Sequence, residues 1–205
     1  MYRPSAYEVD DAATLHAFIR DRGFATIAAA IDGIPQFAYA PVILDAEPGA
    51  RGTVRFHLAR ANPLAALDGV YIRLSFLGPD AYVSPDWYVT EGLVPTWNYM
   101  AVEAAGVACA LDAGALPDLL ERLSARFESR LAPKVPWTSS KVPRERWAAL
   151  LNGIVGFEVA LDSLAGKFKL SQDKKPADAE AVAAQLDAGG HADLAGAMRE
   201  HRPHG

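Results

Sequence analysis

From Thr53 to Leu58 the chain alternates, with Thr53, Arg55 and His57 on one face and Val54, Phe56 and Leu58 on the other. A period of two predicts a half-buried strand. Val70, Ile72, Leu74 and Phe76 alternate in the same way with Tyr71, Arg73 and Ser75, which predicts a strand over 69–77. Phe24 to Ala30 reads as another strand, and Ile31-Asp-Gly-Ile34 as a tight turn into a partner running to Leu44. Further strands are expected at 95–110 and as a pair from Ile154 to Leu170, and 46–52 reads as a loop.

Helical spacing punctuates this pattern. Asp10 or Asp11 can cap a helix that carries Leu15, Phe18 and Ile19 on one stripe and stops at Gly23. Pro63 to Leu67 suits a single helical turn. From Pro117, Leu119, Leu120, Leu123, Phe127 and Leu131 share one face, up to the break at Ala132-Pro-Lys-Val-Pro136. A short helix is expected from Pro143 and an Ala-rich one from Ala177, with a last short helix beyond Gly189-Gly190. Many short strands interrupted by a few helices predict an α+β fold, mainly β: a small barrel with helices packed outside. A doubly wound sheet is disfavoured, because strand and helix do not alternate and neither G-x-G-x-x-G nor a P-loop is present. No repeat or long linker divides the chain. The expected organisation is one domain, with residues 1–175 as the barrel and 176–205 as its helical extension.

With 205 residues, 51% of them hydrophobic, the chain can bury a substantial core. No run of about 18 apolar residues predicts a membrane span, and Met1-Tyr-Arg-Pro-Ser lacks the apolar region of a secretory signal, so a cytosolic protein is expected. Cys109 is the single cysteine and lies among apolar neighbours, where a buried structural thiol is expected. The net charge of −5 has the wrong sign for a protein that mainly wraps nucleic acid. The basic residues from Arg122 to Arg146 have Glu121, Glu128 and Glu145 interspersed, as on an ordinary solvated helix face.

Four stretches carry candidate chemistry. Arg55-Phe-His-Leu-Ala-Arg-Ala-Asn-Pro63 brings His57, Arg60 and Asn62 to the end of a strand, where guanidinium and amide donors suit phosphate oxygens. The plainer alternative is a solvated strand end. Tyr82-Val-Ser-Pro-Asp-Trp-Tyr88 and Val94-Pro-Thr-Trp-Asn-Tyr99 supply aromatic side chains that form either a rigid surface clasp or a wall for a conjugated ring. In Gly166-Lys-Phe-Lys-Leu-Ser-Gln172, Lys167, Lys169 and Ser171 alternate with Phe168 and Leu170. Two lysines on one strand face call for an anion between them, or for carboxylate partners such as Glu158 and Asp162. Hydrolase, zincin and dithiol motifs are missing, and the histidines show no metal spacing. His201 and His204 fall in what reads as a loose terminal tail.

His57-Leu-Ala-Arg-Ala-Asn-Pro63, the two aromatic blocks and Gly166-Lys-Phe-Lys-Leu-Ser-Gln172 occur in an order that resembles the signature blocks of the PaiB-type FMN-binding negative transcriptional regulators. Met1-Tyr-Arg-Pro4 is similar to that family's opening. The resemblance spans nearly the whole chain and is least diagnostic over the last ~30 residues. It implies an FMN-binding split β-barrel with peripheral helices and a homodimer with FMN near its interface. The site it implies comprises His57, Arg60, Asn62, Tyr82, Ser84, Trp87, Thr96, Trp97, Asn98, Lys167, Lys169, Ser171 and Gln172. Two positions depart from the family pattern: Asp173 stands where asparagine is common, and Glu103 where histidine is common.

Three functions remain open on this reading: a flavin-binding regulator, an FMN-dependent oxidoreductase linked to nicotinamide, and a barrel that binds haem or a deazaflavin. The family name leaves direct DNA contact open, while the net charge and the lack of a helix-turn-helix argue against it.

Overall fold

The computed structural model describes residues 1–47, 49 and 51–202. In chain order they form β1 (Glu8–Val9), α1 (Ala12–Arg22), β2 (Phe24–Ile31), β3 (Ile34–Asp45), β4 (Thr53–Ala59), β5 (Tyr71–Val83) and β6 (Thr96–Ala110). There follow α2 (Leu116–Glu128), α3 (Arg144–Asn152), β7 (Ile154–Ala160), β8 (Ser163–Lys169), α4 (Pro176–Ala188) and α5 (Ala192–Glu200). The chain divides into two compact units, the first made of Met1–Leu15, Leu77–Val102 and Ala165–Gly205, the second of His16–Phe76 and Glu103–Leu164.

The second unit contains the barrel. β2–β3, β3–β4, β4–β7, β2–β5 and β6–β7 pair antiparallel. β6 also lies beside β5, where Ala108 exchanges backbone bonds with Gly69 and Val70. The order β5-β2-β3-β4-β7-β6 therefore closes on itself. Alternation fills the interior: Ile27, Val54, Phe56, Leu74, Phe76, Phe157 and Val159 are all buried. Phe56 sits opposite Phe157 across the ladder, with ring centroids 5.4 Å apart. Burying each such side chain contributes about 1.5–3 kcal/mol.

The outward face of β4 is not wet, as its polarity suggested. Arg55 is paired with Asp45 and Glu158, and Asp45 also holds Arg122 of α2. α2 lies over this region, with Leu119 and Leu123 packed on Ile43 of β3. Gly156, opposite His57, admits the start of α2, since a Cβ there would stand 2.7 Å from Leu116 Cδ2. The Asp11 carboxylate caps α1 by accepting from Thr14 N at 2.8 Å, while Asp10 pairs with Arg3.

In the first unit β1 pairs with β8, with Glu8 opposite Lys167, and α4 packs against α5 through Val182, Ala183, Leu186, Leu194 and Met198. The buried Asp178 carboxylate accepts from Thr90 N and Thr90 Oγ1, both at 2.8 Å, which ties α4 to the segment before β6.

The expected mainly-β fold with peripheral helices is what forms. Several details differ from the sequence reading. β5 does not stop at 77 but runs through Gly78-Pro79 to Val83, and its burial alternation is interrupted at 77–80, where the chain leaves one unit for the other. A proline is tolerated inside a strand at such irregular points. Cys109 is exposed, because Ala108 takes the inward position on β6. His201 is not in a loose tail: its ring packs edge-on to Phe168 at 5.3 Å and Nδ1 lies 3.0 Å from Ala197 O. His204 lies outside the described residues, as do Pro48 and Ala50 of the expected loop. Among the described residues no helix is long and apolar enough to cross a membrane.

Candidate functional site

A cavity of about 200 Å³ in the first unit draws together four of the expected site residues: Thr96, Asn98, Lys169 and Ser171. Thr96 and Asn98 come from the start of β6, while Lys169 ends β8 and Ser171 follows it. Asn98 is fully buried and donates through Nδ2 to Ser171 Oγ at 2.9 Å. That bond holds Ser171 in the left-handed region at φ 65°, uncommon for a residue with a side chain. Such a conformation persists where its surroundings fix it, and it occurs often at binding sites.

The half-buried Lys169 ammonium donates to Thr96 Oγ1 and, at 2.7 Å, to Trp97 O. Both acceptors are neutral. Burial lowers its pKa, with Asp173 acting in the opposite sense. Among the described residues no carboxylate forms an ion pair with it. The Asp173 carboxylate instead holds Lys174 at 2.7 Å and accepts from Tyr7. Burial alone would raise the Asp173 pKa, but Lys174 and Tyr7 outweigh it and keep the group ionised. Burial, then the bond to Asp173, push the Tyr7 hydroxyl up to about 12, so it remains a donor at neutral pH. Tyr88 completes the wall, and its buried hydroxyl has no partner among the described residues. The result is a hydroxyl-lined chamber with one cation that no carboxylate pairs.

The other face of β6 is open. Trp97, Tyr99, Leu77, Gly78, Asp80 and Met100 line a hollow of about 370 Å³, and Tyr82 meets Trp97 edge-on at 6.3 Å. Lys167 lies 5.4–5.5 Å from the rings of Tyr99 and Tyr2, in cation–π contact, and pairs with no acid among the described residues. The acids considered for the lysines are engaged elsewhere, Glu158 by Arg55 and Asp162 by Tyr71.

Several of the other expected residues make local bonds. Ser84 caps the turn that contains Trp87, accepting from Asp86 N at 3.3 Å. Gln172 folds back on its own strand, bonding Phe168 O and Leu170 N. His57, Arg60 and Asn62 all lie in the second unit. Arg60 donates to Asn152 O and Ile154 O, at 3.1 and 2.8 Å, and Asn62 caps the turn at Pro63–Ala66. Tyr7, Tyr88 and Lys174 also line the cavity and were not among the expected residues. Tyr88 lies within a signature block, whereas nothing in the sequence around Tyr7 singles it out.

The cavity chemistry fits a phosphorylated, hydroxyl-rich ligand. At about 200 Å³, however, it is smaller than the ~300–1,000 Å³ that encloses a whole drug-sized molecule. It suits the polar tail of a flavin mononucleotide, and the open aromatic hollow has the character that a flat ring requires.

Comparison with known proteins gives a consistent picture. Residues 1–163 match the family described as "Putative FMN-binding domain". The "Protease synthase and sporulation protein PAI 2" of Bacillus subtilis is 30% identical over 190 residues, covering 91% of this chain and 89% of the relative. Among solved structures, the FAD and haem binding protein of Mycobacterium smegmatis aligns with a TM-score of 0.58 at 18% identity, over 80% of this chain and 73% of that one. The flavocytochrome Anf3 of Azotobacter vinelandii aligns with a TM-score of 0.60 at 16% identity, over 82% and 72%. At these identities the two structures establish the shared fold, a split β-barrel with peripheral helices. With the family model matching most of its length, the chain belongs to the PaiB-type FMN-binding family.

Proposed function

We propose that the protein binds FMN as a homodimer, and that the flavin phosphate and ribityl chain enter the cavity of Thr96, Lys169 and Ser171. The observation that carries this reading is the Lys169 ammonium, which is half buried, bonded to two neutral oxygens and, among the described residues, without a paired carboxylate. A phosphate supplies the missing charge, and the Ser171, Tyr7 and Tyr88 hydroxyls add neutral donors. Trp97 and Tyr82 offer the ring a flat surface.

Bound FMN supplies the redox chemistry of such a site. The chain supplies binding and orientation. Tyr7 is pushed above neutrality and Asp173 below it, so neither is poised to shuttle protons near pH 7. Binding linked to a regulatory role, as the family name implies, is therefore favoured over dedicated catalysis.

The dimer is supported by a bare sheet face in the second unit. Phe24, Phe37, Tyr39 and Tyr71 are each at least half exposed there, and small residues Thr26, Ala28 and Ser75 lie between them in register. A flat aromatic face of this kind suits a second copy of the same chain.

The test is an equilibrium titration of purified protein with FMN and with riboflavin, together with light scattering. A clear preference for FMN and a dimeric mass that falls to monomer in Tyr39→Glu are expected. Equal affinity for the two flavins would refute the phosphate assignment, and a monomeric wild type would refute the dimer. Rapid bleaching of bound FMN by NADH, with turnover, would instead indicate a reductase.

A further inference from the structure

The chamber of Lys169 has a second lysine on its wall, and that one is already taken. After β8 the chain turns at Ser171, and Lys174 N donates to Ser171 O at 3.0 Å, which returns Asp173 and Lys174 to the cavity. There the Lys174 ammonium donates to Asp173 Oδ2 at 2.7 Å. Tyr7 donates to the same carboxylate from the N-terminal segment. The charged groups of the lining are therefore two lysines and one aspartate, with the aspartate set against Lys174 while Lys169 is bonded to neutral oxygens.

A carboxylate on the wall of a phosphate chamber works against the ligand in two ways. It repels the phosphate, and it occupies donors that the phosphate would otherwise use. The Asp173–Lys174 bond joins neighbouring residues whose side chains are 38% and 27% exposed, so it contributes little to the stability of the fold. Lys174 is held charged, its pKa raised first by Asp173. Its flexible stem lets the ammonium leave the carboxylate for a nearby anion without any movement of the backbone. Tyr7 continues to donate to Asp173 when that happens, which lessens the cost of parting the pair.

We propose that Asp173 is a built-in competitor of the FMN phosphate: it holds Lys174 in the free protein and yields it when the phosphate enters. The inference rests on the phosphate reading of the chamber. Asp173 acts through Lys174, and its effect is to loosen FMN, chiefly by speeding release, so that the flavin exchanges with its free pool and is not a fixed group. Exchange of this kind suits a regulator that responds to flavin supply.

The test is a titration of FMN and of riboflavin into the full-length wild type, Asp173→Asn, Lys174→Met and the double variant at low salt, with FMN release timed by stopped-flow dilution. Asparagine keeps the size of the side chain and an acceptor for Tyr7 but loses the charge. Asp173→Asn should tighten FMN by about five- to tenfold, the worth of one charged hydrogen bond discounted for partial exposure, and should slow its release. Riboflavin, which also reports that each variant is folded, should change by less than about twofold. In the Lys174→Met background the same substitution should gain no more than about twofold for FMN, the residue of simple repulsion. Unchanged or weaker FMN binding in Asp173→Asn, an equal gain for riboflavin, or a full gain without Lys174 would each overturn the proposal. Lys169→Met separates it from the phosphate reading. An FMN-selective loss there, with no gain in Asp173→Asn, refutes the competitor alone, whereas a wild type that binds both flavins equally refutes the phosphate chamber and the competitor with it.

Discussion

Replacing Lys169 with methionine removes, from the proposed flavin chamber, the cation that no carboxylate pairs among the described residues, and keeps most of the side chain's bulk. The ammonium has three N–H groups, of which Thr96 Oγ1 and Trp97 O take two. One donor and the whole positive charge are left for a ligand. A hydrogen bond to a charged group is worth about 1.5–3 kcal/mol, which corresponds to about a 10- to 140-fold rise in the Kd for FMN. Riboflavin lacks the phosphate and should change by less than about threefold, no more than a minor repacking effect. Lys174→Met should cost FMN less than Lys169→Met, because Asp173 already holds that charge. The assay is quenching of flavin fluorescence at low salt, repeated near physiological ionic strength, where the gap between FMN and riboflavin should narrow as charges are screened. Parallel losses for both flavins would show that Lys169 supports the fold and not the phosphate. An unchanged FMN affinity would remove it from the site altogether.

Other substitutions test the scaffold. Phe157→Ala empties the barrel centre beside Phe56 and should lower unfolding free energy by about 3–5 kcal/mol in urea titrations; a loss below about 1.5 kcal/mol would mean the ring repacks freely. Asp178→Asn should lower the urea midpoint at pH 7, because Thr90, chiefly through its backbone N–H, stabilises the ionised carboxylate and depresses its pKa. That stability is present above the ordinary aspartate pKa of about 3.9 and lost as pH falls through the lower folded value, so the difference between wild type and variant should shrink at pH 3. Burial depresses the His57 pKa, so its contribution is full above about pH 6.5 and declines as pH falls toward the folded value. Between pH 7 and 5 the wild-type midpoint should therefore fall more steeply than that of His57→Leu, and equal slopes would contradict a buried neutral ring.

Much of the fold was legible because a period of two is a local signal. β4 and the first half of β5 followed directly from their alternation, and α2 from its leucine stripe. What escaped was set by partners distant in sequence. The polar face of β4 looked like an anion site, yet Asp45, Glu158 and Arg122 neutralise Arg55, and only the fold brings these together. Arg60 and Asn62 were read as phosphate donors, while their donors and acceptors also serve nearby backbone groups. Cys109 was misjudged because apolar neighbours were read as burial, although alternation along β6 places Ala108 inward and Cys109 outward. Residues of the blocks at 94–99 and 166–172 line one cavity. Tyr7 joins them from the N-terminus, beyond the reach of any local pattern.

The closed strand order of the second unit has a consequence for how the chain is made. β7 is the staple of the ring, pairing with β4 on one side and β6 on the other, yet it begins only at Ile154, long after β4 ends at Ala59. During synthesis the earlier strands wait on the order of 5–20 s for it, with two open edges and the aromatic face of β2–β3 uncovered. Pairings as distant as Thr53 with Ala160 also make folding slow for a chain of this size. The window before closure, more than the finished barrel, is where this protein is most exposed to aggregation, and a stop codon anywhere ahead of Ile154 would leave that window permanently open.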